Sequence, residues 1–568
     1  MAAIISEKFR IFNAKQFLES LSEASPTNMY FFVGRPQKWY AYLEIYNVSG
    51  TFQVGETVTG GGLSGTVQEV HPNSLLIATT NTTAAPASGS TITGGTSSAT
   101  AKASTYRFAT EDAPPAPIDN QNEKAAVYDE LIAAKRITST FARLVAPRYN
   151  WSLSTNPKFD MYRPNYSPTP GGGGAIGVQT ALGSSALSGS KYYVMNANYE
   201  VFKCVYNGQT PANPTGINAV YEPKTTPSAG QGTYANGLFV ESATGYIWKY
   251  MYTLSTSDVI AFLSSDFLPI GTYDGPAVVD GAIHIAVIKD GGSNMPTSGT
   301  VYVGVDGDGS GAVVKITTSA GGSISSVEME SIGSGYTYGN VRLVNGNIYT
   351  DSGLTNAATI AANATGAVEV IMSPEGGHGS DLAAEFFAKR VMTNIRLTYA
   401  EGSGDFPVDN DFRRIGIIQD PFNFGTTTVA SASTLRGTAA LKLTGSGDYT
   451  IDEEITQTVS GGTAKGRVVS WDSTNGILKY FQSPDLHTHN GKVLAFDDAT
   501  NNVTGVTSGT ARPIDGNQDT ALADISFTDG KANPEIAPNS GDIVYIENRR
   551  QITRAADQIE DIKLVIEF

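Results

Sequence analysis

The residues best suited to chemistry in this chain are few and scattered. "HTH" at 487–489 sets His487 and His489 on the same side of an extended segment, a spacing that can chelate a divalent cation. No third ligand of matching spacing accompanies them, so the pair alone falls short of a metal centre. "DGDGSG", from Asp306 to Gly311, opens like a calcium loop, yet its twelfth position is Thr317 where a bidentate Glu belongs. A β-turn rich in Asp and Gly accounts for it. "EGGHGSD" at 375–381 is a Gly-rich run entering a helix N-terminus, an arrangement able to hold an anion. It lacks the Lys-Ser/Thr of a P-loop, and the freedom needed for a sharp turn explains its glycines as well. Glu453-Glu454 and Asp497-Asp498 are paired carboxylates without apolar surroundings that would raise a pKa for general acid work. There is no G-x-S-x-G elbow. Cys204 is the only cysteine; "YEVFKCVYNG" alternates around it like a strand, which predicts a buried structural thiol. No catalytic, cofactor-binding or metal residue emerges, and the chain is expected not to be an enzyme.

Composition narrows the remaining classes. A chain of 568 residues is too long for one core. Charged residues make up 16% and there are 61 Gly, a balance that suits a β-rich, loop-rich protein better than a helical one. The 38 Lys+Arg against 54 Asp+Glu give a formal net charge of −16, unfavourable for binding phosphate backbones, so nucleic acid is not expected as a partner. No stretch has signal-peptide character or approaches the ~20 apolar residues of a membrane span, so neither export nor membrane insertion is expected.

The elements that must position these residues can be read in order. Asn13 is placed to cap a short helix, with Gln16 at capping-box spacing and Phe17, Leu18 and Leu21 as its apolar face. "NMYFFVG" from Asn28 reads as a short apolar strand stopped before Pro36. "QNEKAAVYDELIAAKR", Gln121 to Arg136, carries the strongest helical pattern, acidic early and basic late, with Val127, Leu131 and Ala134 on one face. Strands follow around "KYYVMNANYEVFKCVYNG" and "TGYIWKYMYTL". A short helix is expected near Ser257–Leu263 and another opening at Ser380 or Asp381. "VMTNIRLTY" and "DFRRIGIIQDP" read as strands, and the chain closes on alternation in which Ile562, Leu564, Ile566 and Phe568 share one face.

Three stretches poor in charge interrupt this order, at 43–105, 282–370 and 426–513. "FQVGETVTGGGLSGTVQEV" from Phe52 aligns with "YTIDEEITQTVSGGTAKGRVVSW" from Tyr449, and both describe a hairpin module with Gly turns and Val/Ile/Thr strands. The middle stretch has a different hairpin pattern. The expected fold is therefore mainly β: a layered β-sandwich core with a few short helices and inserted small β-hairpin modules. The core is assigned to 1–42 with 106–281, and to 371–425 with 514–568.

The two ends carry a family resemblance. "IISEKFRIFNAKQFLESL…MYFFVGRPQKW" and "SGDIVYIENRRQITRAADQIEDIKLVIEF" resemble the ends of the baseplate wedge proteins of T-even-type contractile-tailed phages, the gene product eight family. "APRYNW" at 146–151, "TGYIWKYMYTL" at 244–254 and "FRRIGIIQDP" at 412–421 resemble the same family in the same order, over about three-fifths of the chain. The low-charge insertions depart from its compact members and look like those of enlarged, cyanophage-type structural proteins. The resemblance implies a virion subunit of the tail baseplate, assembled in the host cytoplasm, mainly β, pairing as a dimer and joining neighbouring wedge proteins. It brings no catalytic residues. A terminal strand ordered to its last residue suits such a building block.

Candidate partner contacts are Arg35 and Trp39 in "GRPQKW" and Arg549 and Arg550 near the end, since Arg and Trp are enriched at binding hot spots. Arg549 and Arg550 have a local alternative in Glu547, Asp557, Glu560 and Asp561, and Trp39 can equally cap the core. The competing reading is a receptor-binding adhesin whose β modules grip a cell-surface glycan, although no long coiled-coil or β-helix repeat supports it. A tail hydrolase would need a carboxylate pair in a cleft, which no segment nominates.

Overall fold

The computed structural model describes residues 5–80, 85–151, 157–162, 187–213, 215–296, 299–397, 411–484, 486–498, 501–552 and 560–568. The protein is mainly β with a few short helices. It divides into two compact units. One comprises Met1–Leu18, Ala142–Thr393 and Lys563–Phe568; the other comprises Glu19–Phe141 and Asn394–Ile562.

The second of these is organised by a five-stranded antiparallel sheet in the order Thr434–Arg436, Leu131–Ile137, Met29–Gly34, Phe412–Gln419, Asp542–Ile552. Met29–Gly34 is buried at every position, as a strand with a neighbour on each edge and apolar cover on both faces must be. Tyr30 and Phe32 enter one core with Val127, Leu131, Ala134 and Ile418. The helical pattern over Gln121–Arg136 is cut in two. A helix runs Gln121–Asp129, capped by Asn120, which accepts the Glu123 N–H at 2.8 Å. Leu131–Ile137 is then a strand, because pairing with Met29–Gly34 and Thr434–Arg436 outweighs local helix preference. Val127, Leu131 and Ala134 still share a core, reached by helix on one side of Glu130 and strand on the other.

Two barrel-like modules branch from this sheet. The first, Ala41–Arg107, is a closed barrel of six strands filled by Leu43, Val58, Val67, Ile77 and Ile92. The second, over Ala439–Ala532, repeats its six-strand order as an open, barrel-like sheet: Lys531–Ala532 adds a seventh strand beside Ala439–Lys442, and the ends meet at the single Leu443–Ile514 bridge, while the pairing otherwise matches. Val58 opposite Gly94 becomes Ile455 opposite Gly505; Thr93 opposite Thr100 becomes Thr504 opposite Ala511. Leu43 opposite Leu75 becomes Leu441 opposite Leu478, and Ile45 opposite Ala103 becomes Leu443 opposite Ile514. Both place a β-bulge after the equivalent valine, Val67 or Val468. One difference is chemical: where the first barrel has Ala101, the second has Arg512, whose guanidinium lies 4.6 Å from the Trp471 ring.

Each barrel is locked by one buried glutamate. Glu56 accepts the N–H groups of Gln53, Thr96 and Ser97 at 2.7, 3.1 and 2.9 Å. Glu453 accepts those of Thr450, Thr507 and Ser508 at 2.6, 2.9 and 2.8 Å. Gly94 and Gly505 are required beside them: a Cβ would stand 2.6 Å from a Glu56 oxygen and 2.5 Å from a Glu453 oxygen. Burial acts to raise the Glu56 carboxyl, but the donors from Ser97, Gln53 and Thr96 outweigh it and hold the pKa below the usual value. Glu56→Ala and Glu453→Ala are each expected to cost about 3 kcal/mol, since each strands several buried N–H groups. Peptide-resolved hydrogen exchange should then accelerate only within 41–107 for the first variant and only within 439–532 for the second. Loosening of both barrels by either change would refute two independent locks.

The other unit contains a five-stranded antiparallel sheet in the order Tyr193–Met195, Glu200–Tyr206, Ile247–Thr253, Leu238–Glu241, Gly232–Ala235. Phe159, Phe202, Cys204, Phe239, Tyr246 and Trp248 fill one face. Cys204 is a core residue here, and burial pushes its thiol well above the ordinary range. A two-stranded ribbon, Ile283–Ser293 with Thr365–Met372, leads into a four-stranded sheet built on Thr300–Gly304 and Ser310–Thr318. Helix Glu7–Ser20 runs through Asn13 instead of starting there; Ser6 is the cap, accepting the Phe9 N–H at 3.2 Å. Ile11 and Ala14 bury its inner face. The short helices Thr256–Phe262 and Leu382–Glu385 begin after Ser255 and Asp381, whose side chains accept Asp258 and Ala384 N–H groups. The terminal Phe568 donates its N–H to the Lys389 carbonyl at 3.1 Å and sets its ring 5.5 Å from Phe17.

Candidate functional site

Around the root of the first barrel, strands Met29–Gly34, Phe412–Gln419 and Asp542–Ile552 bring three of the four candidate contact residues together. Arg35 leaves its strand at φ 54°, which turns its guanidinium to within 3.9 Å of the Trp39 ring centroid. The same guanidinium donates to Glu130 at 2.5 Å. Trp39 is 5% exposed; its indole N–H donates to the Arg549 carbonyl at 2.8 Å and its backbone N–H to Glu111 at 2.5 Å. Two further arginines complete the knot. Arg413 donates to both Glu111 oxygens, at 3.0 and 2.9 Å, and to the Pro36 carbonyl. Arg414 reaches Glu130 at 3.1 Å, Glu123 at 2.7 Å and Asn548 at 2.9 Å. Three guanidinium groups thus meet three carboxylates inside the protein, and burial lowers the Arg35 pKa against the opposing pull of Glu130. Such a network costs desolvation energy and is retained for the geometry it enforces.

The Arg549 side chain turns to Glu547 at 3.4 Å, one of its anticipated local partners. Asp561 is engaged elsewhere, by Arg396 at 2.8 Å. Asp557 lies outside the described residues, and so does the side chain of Glu560. Arg550 donates to the Asp112 carbonyl at 2.9 Å and keeps a side chain 71% exposed, the most accessible of the four.

The other sequence motifs are absorbed by internal bonds. Asp308 accepts from the Thr337 and Tyr338 N–H groups, and Asp306 pairs with Arg342, as a folded turn requires. His487 is buried with Nδ1 accepting the Ser483 N–H at 2.9 Å; burial pushes it down to about 3. Among the described residues no group of three His, Cys, Asp or Glu side chains is placed to hold a metal. In the Gly-rich run, the Gly379 N–H donates to Glu385 at 2.6 Å and the Gly376 N–H to Asp280 at 3.0 Å.

That run leads to a cluster the sequence reading missed. Lys203 and Lys249 lie directly opposite each other on Glu200–Tyr206 and Ile247–Thr253, and both are buried. Lys203 pairs with Glu385, and its ammonium sits 4.3 Å from the Tyr162 ring centroid. His378 Nδ1 is 3.7 Å from the same carboxylate, and the His284 ring lies 5.2 Å from that of His378. Burial lowers the Lys203 pKa and takes Lys249 down to about 8, with the neighbouring ammonium adding to the second shift. The available signal was a single lysine in each of two otherwise apolar runs, "VFKCV" and "IWKYM". No family model and no curated protein sequence matches this chain.

Proposed function

We propose that this chain is a structural subunit of the baseplate wedge of a contractile phage tail, working through assembly interfaces with a second copy and with neighbouring wedge proteins. The observation that carries the reading is where the resembling segments fall. Met29–Gly34, Phe412–Gln419 and Asp542–Ile552, all within those segments, are adjacent strands of one sheet. Two of the three low-charge stretches, 43–105 and 426–513, lie in barrel-like modules of the same unit, and the third forms a ribbon and a small sheet in the other, so a family core with added modules is a coherent account of the chain.

Two further features favour assembly over turnover. The acidic residues of the motifs are largely spent on backbone N–H groups and arginines, as at Glu56, Glu453 and Asp308. Large apolar side chains face outward on the helix Glu7–Ser20, where Phe9 and Phe12 are exposed, and such side chains commonly mark contact surfaces. The knot of Arg35, Arg413 and Arg414 then acts as the rigid root of the first barrel, with Arg550 as the outward group beside it. The net charge of −16 argues against nucleic acid as the partner. Among the described residues no helix is long and apolar enough to cross a membrane.

Light scattering across a concentration range, followed by mixing with the neighbouring wedge proteins of the same phage, tests the proposal. One chain is 59.8 kDa, and the expected result is a dimer that co-elutes with a wedge partner. A trimer that ignores wedge proteins and binds a cell-surface glycan would replace this reading with the adhesin.

A further inference from the structure

We infer that the Lys203–Lys249 cluster is a binding site for a small hydrogen-bond-accepting anion of the phosphate or sulfate type, distinct from any assembly role of the protein. The reasoning starts from pairing. Like charges directly opposite in an antiparallel pair repel, and these two are also withdrawn from water: Lys249 is 4% exposed and Lys203 is fully buried. One carboxylate, Glu385, faces them, and it is engaged with Lys203 and the Gly379 N–H.

The amine of Lys249 therefore has no hydrogen-bond or ion-pair partner among the described residues; its nearest recorded neighbour is the Tyr273 ring, 5.9 Å away at the centroid. Three buried polar atoms of the residues linked to it are unsatisfied: Tyr273 Oη, His378 Nδ1 beside Glu385, and Nδ1 of His284, whose ring lies 5.2 Å from that of His378. Buried polar atoms left without a partner are destabilising, and a group of them marks a place where another species completes the bonding. The Lys249 ammonium can only donate, and the three other atoms can donate in an available protonation state or tautomer, so an acceptor suits them together and the excess ammonium sets its sign as negative.

No undescribed residue of this unit can supply that charge. Within this unit the undescribed positions are 1–4, 152–156, 163–186, 214 and 297–298, and none is Asp or Glu. The anion must come from solution. The Gly-rich run at 375–381 thus contributes to anion binding through the His378 side chain, while the Gly376 and Gly379 N–H groups serve Asp280 and Glu385.

The test is the melting of the full chain in a gluconate background, titrated separately with inorganic phosphate, sulfate and chloride. The parent should show a saturable rise, roughly 5 °C or more at 100-fold over its Kd, with phosphate or sulfate. Saturation with chloride alone would overturn the assignment to a phosphate- or sulfate-type anion. Lys249→Met should abolish the rise and melt above the parent in gluconate, because it removes an unpaired buried charge without leaving a large cavity. Tyr273→Phe keeps every charge and should weaken the apparent affinity about 10-fold; it carries the test should Lys249→Met fail to fold. A parent that responds to none of the three anions, or variants that respond as the parent does, would overturn the inference.

Discussion

Replacing Glu385 by Ala is expected to destabilise the unit that contains it by about 3–5 kcal/mol, among the largest effects of any single substitution in this protein. The carboxylate faces the buried Lys203 ammonium, accepts the Gly379 N–H at 2.6 Å, and is the one negative group beside two ammonium ions. Removing it leaves Lys203 charged and unpaired where no solvent can reach, or forces it to give up its proton. The second substitution decides between a pairing account and a packing account. Lys203→Met in the Glu385→Ala background should restore about 2 kcal/mol or more, since an apolar chain of similar volume then fills the site. Urea unfolding of the four members of the cycle gives the coupling directly. If Glu385→Ala lies within about 1 kcal/mol of the parent, or if Lys203→Met brings no recovery, the buried pair is not what holds these strands.

What could be read from the sequence was the part governed by local pattern. Alternation and apolar runs located Met29–Gly34, Ile247–Thr253 and Phe412–Gln419 to within a few residues, because strand periodicity survives any tertiary arrangement. The likeness between the stretches from Phe52 and Tyr449 was visible, as both begin with a core aromatic and the same Glu-then-hairpin order. Its extent was not. The partners of Glu56 and Glu453 come from loops some forty to fifty residues later, around Ser97 and Ser508, where Gly, Thr and Ser carry little pattern. Leu131–Ile137 was misjudged as helix because its neighbours in the sheet are Met29–Gly34 and Thr434–Arg436, about a hundred and three hundred residues away. The arginine knot was half legible: Arg35 and Trp39 stood out by type, while Arg413 and Arg414 sat in a strand pattern that names no partner, and only the fold sets Glu111, Glu123 and Glu130 against them. Lys203 and Lys249 were hidden by the same cause, since nothing local says that two lysines forty-six positions apart share one rung of a sheet.

That rung also predicts how the protein should respond to pH. His284 is held down to about 3 and His378 well below its ordinary value; burial is the first cause for both, and the Lys203 and Lys249 ammonium groups add to it. The groups facing these rings are Lys203, Lys249 and Glu385, with the Tyr162 ring against His378. A histidine whose folded pKa is depressed takes up its proton in the unfolded chain first. Above about pH 6.5 both states are neutral and nothing is lost; as pH falls through 6.5 the unfolded state gains protons the folded state refuses, and stability declines. Each histidine contributes about 1.4 kcal/mol per pH unit, so the pair should remove more than 2 kcal/mol between pH 6 and pH 5. Carboxylates with lowered pKa values, such as Glu56, start to act only below about 4.5, which leaves the window from 6.5 to 4.5 to the histidines. Lys249 acts at the other end. Its folded pKa of about 8 lies below the unfolded 10.5, so the cost of its buried charge is full below pH 8 and is relieved as pH rises from 8 towards 10.5. The unit should therefore gain stability as pH rises to 6.5 and again between about pH 8 and 9; above that the Cys204 thiol and the buried tyrosines, all held above their ordinary values, give up protons first in the unfolded chain and oppose the Lys249 gain. Urea unfolding read by hydrogen exchange in the peptides covering 200–206 and 247–253 would follow it. His378→Asn should flatten the acid limb by about half and Lys249→Met should remove the alkaline one; a parent equally stable at pH 7 and pH 5 would mean that these rings are not buried beside two ammonium groups.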